Sequence, residues 1–149
     1  MKGAVDKRVQ AQSCGFDLTI RGVYTFTSAG ALDFTNEKRE ISKQKQIRFR
    51  DGWVFLRGGC YKVMYNEIIE VPRDCVGMAF PRSSLLRCGV SLHCAIWDPG
   101  YRGRSESLLV VHNEKGFRLK KNARIAQIVF LKLGREAEGY KGRYRNENI

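Results

Sequence analysis

No apolar stretch in this 149-residue chain approaches the roughly 20 residues that a bilayer-spanning helix needs. Runs such as Ile125 to Phe130 end after a few positions. The opening Met1-Lys-Gly-Ala-Val-Asp-Lys-Arg8 carries charge with no apolar core behind it, so no signal peptide is visible. A cytoplasmic location and no membrane partner are the expectation. Cysteine occurs five times (Cys14, Cys60, Cys75, Cys88, Cys94), an odd number with no Cys-x-x-Cys pair. That argues against a disulfide framework and a Cys-rich zinc site, and leaves small core hydrophobes as the expected role. His93 and Cys94 are adjacent, which on a strand sends them to opposite faces. His112-Asn-Glu114 supplies the first half of a zinc-deaminase signature, but the Pro-Cys-x-x-Cys half is missing. Clustered Asp or Glu motifs are lacking too.

What the chain does have is positive charge. The formal net charge is +12, with 43% hydrophobic and 11% aromatic residues, so the material is globular and the partner is anionic. The Lys and Arg residues are scattered singly, as in Lys45-Gln-Ile-Arg-Phe-Arg50, with no basic block or aromatic stacking strand in the sequence. Nucleic acid, a membrane surface, a small polyphosphate or simply a solvated basic face all remain open on charge alone, with nucleic acid the less expected partner because no basic block is present.

The length suits one domain. Strands are expected over 17–24, 46–49, 53–56, 60–65, 68–71, 75–80, 90–97, 107–112, 117–120 and 125–133, where β-branched and aromatic residues alternate with turn residues. One short helix is expected from Ser83 to Gly89, opened by cap-type serines and closed by a glycine suited to a left-handed cap. The fold class is mainly β: about ten short strands in one domain, over residues 1–133, suggest a β-barrel or jelly roll with that one helix. Residues 134–149 are polar and glycine-punctuated and are expected to form a mobile tail.

Three segments carry chemistry. In Pro81-Arg-Ser-Ser84, backbone N–H groups at a helix start, two hydroxyls and a guanidinium suit a phosphate; an ordinary helix cap is the alternative. In Trp97-Asp98-Pro-Gly-Tyr101-Arg-Gly103, a carboxylate at a strand end would orient a water as general base and a tyrosine would stack on a sugar; a plain Asp-Pro-Gly turn is the alternative. In Arg124-Ile-Ala-Gln127, a glutamine inside an apolar run needs a hydrogen-bond partner if buried, and otherwise faces water.

These segments, together with Gly15-Phe-Asp-Leu18, occur in order and in register over about residues 10–133, and the chain resembles the dUTPase and dCTP deaminase superfamily, with archaeal dUTPase-like proteins nearest in look. The resemblance implies a distorted jelly-roll β-barrel, assembled as a homotrimer with sites at subunit interfaces and cleaving dUTP to dUMP and pyrophosphate with Mg²⁺. It implies that Asp98 activates the attacking water and that Tyr101 packs under the deoxyribose. Arg82, Ser83, Ser84 and Gln127 would hold phosphates. Asp17 would act indirectly on the metal, through water, or on a neighbouring arginine. The segment from His93 through Cys94 and Ala95 to Trp97 would read the base.

Deaminases of the superfamily place a catalytic glutamate where this chain has Leu108, which cannot shuttle a proton. The expectation is a dUTPase. Glu106, two residues earlier, and Arg87, which matches an arginine used by deaminases, keep deaminase or bifunctional deaminase-diphosphatase activity as the alternative. A non-catalytic nucleotide- or nucleic-acid-binding barrel is the second. In the tail, Tyr144 is expected to cover the base, with Lys141 or Arg143 reaching phosphate.

Overall fold

Alternation of apolar and polar side chains sets most of the strands. In Glu106–Val111, Ser107, Leu109 and Val111 point inward while their neighbours are half-buried; in Trp53–Leu56, Val54 and Leu56 point inward. The computed structural model describes residues 1–149. The elements in chain order are α1 (Lys7–Gln10), β1 (Phe16–Phe26), β2 (Gln44–Ile47), β3 (Trp53–Leu56), β4 (Gly59–Tyr65), β5 (Ile69–Glu70), β6 (Cys75–Pro81), α2 (Ser83–Arg87), β7 (Val90–His93), β8 (Arg102–Gly103), β9 (Glu106–Val111), β10 (Phe117–Lys120) and β11 (Arg124–Lys132).

The main sheet runs β6-β11-β1-β4-β9-β7, with β2 also pairing β1, and every pairing is antiparallel. Its two end strands, β6 and β7, approach one another across α2, so the sheet curls into a nearly closed barrel. Two small ladders, β10-β3 and β5-β8, flank it. One core fills the interior, with Leu18, Ile20, Val63, Tyr65, Leu109 and Ile128 wholly buried. Each such side chain contributes about 1.5–3 kcal/mol relative to exposure.

Four local expectations are corrected. A second helix, α1, exists where no apolar period announces it; the Asp6 carboxylate caps it by accepting from the N–H groups of Arg8 and Val9. The α2 serines are not caps, because Arg82 occupies the N-cap position without a side-chain bond, leaving Ser83 and Ser84 in the first turn. Gly89 does take the left-handed conformation (φ +70°). The seventh strand ends at His93 instead of continuing to Trp97. Finally, no cysteine is fully buried: Cys14, Cys60 and Cys88 are exposed, and Cys75 and Cys94 half-buried.

One polar cluster is built into the interior. Glu67, with no exposed surface, accepts hydrogen bonds from Gln10 Nε2 (2.7 Å), the Thr19 amide (2.9 Å) and Thr19 Oγ (2.5 Å). Gln10 Nε2 also donates to the Asp17 carbonyl at 2.8 Å. A buried carboxylate is tolerated because its lone pairs are filled. The cluster ties α1 to the start of β1, where Asp17 sits.

Candidate active site

The sequence-predicted residues fall into two groups on one chain. The first lines a cleft of about 260 Å³ bounded by Ala95, Trp97, Asp98, Tyr101, Tyr144 and Glu147. Trp97 is fixed by a two-way backbone bridge to Gly77 on β6 (2.9 and 3.0 Å) and is buried. The chain then turns through Asp98-Pro-Gly100, closed by the Tyr101 amide donating to the Asp98 carbonyl at 3.0 Å. This turn leaves Asp98 exposed at the rim and buries Tyr101 as a wall. Gly103 is required beneath it, since a Cβ there would lie 2.5 Å from the Tyr101 hydroxyl. Gly100, at φ +77°, likewise lets the tail backbone approach, its Cβ position falling 2.9 Å from Gly139 Cα.

The tail enters this cleft. The Tyr140 amide donates to the Pro99 carbonyl (2.8 Å), the Asn146 amide to Arg102 (2.7 Å), and the Arg104 amide to the Glu147 carbonyl (3.0 Å). Tyr140 stacks edge-on against Tyr101 at 5.8 Å. The Tyr101 hydroxyl donates to Glu147 Oε1 at 2.6 Å. Burial, reinforced by that carboxylate, pushes the Tyr101 hydroxyl far above its ordinary pKa, so it remains a donor throughout the working pH range. Burial also raises the pKa of Glu147, with Glu106 adding to the effect. Glu147, Tyr140 and Glu106 are cleft residues that sequence reasoning missed or set aside. Glu147 bonds a residue 46 positions away, which no local pattern signals. Glu106 lies in the cleft wall, paired with Lys62 at 2.6 Å, and Leu108 shares its strand face.

The second group centres on Asp17, 1% exposed at the start of β1. Its carboxylate lies 3.3 Å from Arg82 Nε and 3.1 Å from Arg124 Nη1, and Gln127 Nε2 reaches it at 3.5 Å. β1 pairs with β11 in a register that sets Asp17 opposite Gln127, while β6 delivers Arg82 at its end. Arg82 and Arg124 stay about one-third exposed (33% and 32%), so each guanidinium keeps donors free for an outside anion. Ser83 and Ser84 are exposed beside Arg82.

The remaining residues stand apart. Arg87 is exposed and donates to the Ser83 carbonyl of its own helix at 3.1 Å. The His93 ring meets Ser91 Oγ at 3.1 Å on the outer face of β7. Cys94 Sγ packs by the Ser107 hydroxyl at 3.2 Å. Lys141 pairs with Glu138 at 2.9 Å beside a second cavity of about 290 Å³ that also includes Arg73 and Arg145, and Arg143 is exposed. No cluster of three or more His, Cys, Asp or Glu side chains is arranged to hold a metal. No helix is long and apolar enough to cross a membrane.

Comparison with known proteins agrees with this architecture. The dCTP deaminase-like family matches residues 3–133. A probable deoxyuridine 5'-triphosphate nucleotidohydrolase of Methanosarcina mazei is 51% identical over 99% of this chain and 88% of its own. The deoxyuridine 5'-triphosphate nucleotidohydrolase of Methanocaldococcus jannaschii is 41% identical over 91% of this chain and 87% of its own. Among solved structures, the 2'-deoxycytidine 5'-triphosphate deaminase of Agrobacterium tumefaciens superposes with a TM-score of 0.62 at 19% identity, covering 81% of this chain and 38% of that one, a likeness of fold alone.

Proposed function

The chain belongs to the dCTP deaminase-like family, and within it we propose that this protein is a dUTP diphosphatase, hydrolysing dUTP to dUMP and pyrophosphate. The observation that carries the reading is the Asp98–Tyr101 turn, which sets a solvent-facing carboxylate beside a buried tyrosine wall in a cleft sized for a nucleoside. Asp98 accepts a proton from a water as its oxygen bonds to the α-phosphorus, and the bond from phosphorus to the pyrophosphate oxygen breaks. Tyr101 packs under the deoxyribose and excludes a 2′-hydroxyl, as the resemblance implies. Backbone groups of residues 93–97 read the base. The cleft is reached once Glu147 withdraws from Tyr101, and the tail then closes with Tyr144 over the base and Lys141 or Arg143 toward phosphate.

Arg82, Ser83, Ser84 and Gln127 hold the phosphates, with Asp17 setting Arg82 and Gln127 in place. The Asp17 group and the Asp98 cleft share neither a cavity nor a hydrogen bond within one chain. A homotrimer that apposes the cleft of one copy with the arginines of its neighbour completes the site. With Asp17 taken up by two arginines, the donor set fits a Mg²⁺ carried on the substrate's phosphate oxygens. Bound there, it supplies charge neutralisation.

Deamination of dCTP is the second reading, favoured by one observation: Glu106 lines the cleft. Its pairing with Lys62 and the aliphatic Leu108 weigh against it. The test of the hydrolase assignment is Asp98→Asn, expected to abolish dUTP turnover while nucleotide binding stays within about tenfold, or roughly 1.4 kcal/mol. Substantial turnover in that variant would overturn the role of Asp98.

A further inference from the structure

A small triphosphate uses few of the cations in a chain of net charge +12, and the fold gathers several others on a ladder whose residues belong to neither site group. The β3-β10 ladder pairs Trp53 with Lys120 and Phe55 with Arg118. Its inner face, Val54, Leu56 and Leu119, is buried in the core. Its outer face carries Trp53 and Phe55, 39% and 57% exposed, with Arg118 and Lys120 beside them. The Arg118 guanidinium lies 4.9 Å and the Lys120 ammonium 5.6 Å from the Trp53 ring centroid. Arg48 and Arg50 flank the same face, and a groove of about 370 Å³ runs between Arg48, Arg50, Trp53, Phe55 and Arg118. The one acidic residue from Arg48 to Phe55 is Asp51, in the turn.

We infer that this face is a platform for single-stranded nucleic acid, with bases stacking on Trp53 and Phe55 and backbone phosphates held by Arg48, Arg50, Arg118 and Lys120. Two aromatic rings on alternate residues of a strand stand about 6.8 Å apart, enough for a separate base on each. Stacking on aromatic faces with cations alongside is the chemistry by which sequence-tolerant single-strand binding works. A second copy of the chain docking face to face here would bring four like charges against four, so a symmetric dimer through this face is disfavoured. The sequence conceals the platform because its two strands lie far apart along the chain.

The experiment uses the full-length protein and a fluorescein-labelled oligothymidylate of about twelve nucleotides, read by anisotropy across a salt series and by Trp53 quenching. Four phosphate contacts predict a log–log salt slope near −2.8, from about −0.7 per contact on single strands. Trp53→Ala and Phe55→Ala should each weaken binding by between about 5-fold and 150-fold. Arg118→Gln, a change on the exposed surface, should flatten the slope by about 0.7. Retained dUTP turnover in each variant certifies the fold. No binding at low salt, or binding unaffected by these substitutions, would overturn the inference. So would displacement of the oligonucleotide by dUTP, which would place it in the nucleotide cleft. A change of oligomeric state in Trp53→Ala would mark a subunit interface instead. Trp53-dependent binding to phosphatidylserine vesicles without oligonucleotide binding would mark a membrane-facing surface. Either result refutes the platform.

Discussion

Replacing Asp17 with Asn tests whether the buried carboxylate organises the phosphate-binding side chains. The substitution conserves shape but removes the charge that faces Arg82 at 3.3 Å and Arg124 at 3.1 Å. It also sets an amide donor where three donors already converge. A hydrogen bond to a charged group contributes about 1.5–3 kcal/mol, and the substitution weakens the one from Arg124 and removes the ion pair with Arg82, worth up to about 1 kcal/mol more. Both guanidiniums keep about a third of their surface in water (33% and 32%), so solvent recovers roughly half of that. The net loss is up to about 2 kcal/mol, or at most roughly 4–8 °C in Tm for a chain of this size. Because Arg82 and Gln127 lose their anchor, KM for dUTP should rise about tenfold, while kcat falls less. Circular dichroism melts and steady-state kinetics on the same preparation measure both. A Tm within about 1 °C of wild type together with an unchanged KM would refute the anchoring role.

Tyr101→Ala should relax sugar selection, so that UTP gains on dUTP in a competition assay; unchanged discrimination would show that another group excludes the 2′-hydroxyl. Truncation after Gly134 should lower kcat/KM for dUTP, and an unaltered value would remove the tail from the reaction. The pKa of Glu147 is raised in the folded chain, from an ordinary 4.5, by burial and by Glu106, with Lys62 and the Tyr101 hydroxyl opposing. Its contribution to tail docking is therefore fully present below that ordinary value and is lost as pH rises through the raised one. Hydrogen exchange of the tail amides near 140–147 should thus speed up above the carboxylate range beyond the intrinsic base-catalysed rate. Glu147→Gln should remove that excess pH dependence, and an equal excess in both proteins would contradict the assignment.

Much of the barrel was legible because half-buried strands alternate: β3 and β10 lie where their residue pattern places them, and β9 differs by one residue at each end. What escaped lacks a local signal. Helix α1 is only four residues long and owes its start to Asp6, and β8 is a two-residue ladder with no alternation to detect. The serines of α2 resemble caps, yet the chain is already helical at Ser83, so the cap falls one residue earlier. At the candidate site, residues 98–101 were legible locally only as a turn, and the roles expected of Asp98 and Tyr101 rest on the family resemblance. The pairing of Asp17 with Arg82, Arg124 and Gln127 depends on the β1-β11 register, and the Tyr101–Glu147 bond depends on where the tail lands. Both are properties of tertiary structure.

The most direct test of the dUTPase assignment is a product assay. Purified protein and Mg²⁺ are incubated separately with dUTP, dCTP and UTP, and the products are resolved chromatographically. Release of dUMP and pyrophosphate from dUTP alone is the predicted result. Formation of dUTP or dUMP from dCTP would contradict it and make Glu106 the residue to replace, whereas no turnover of any of the three would contradict the enzymatic reading altogether.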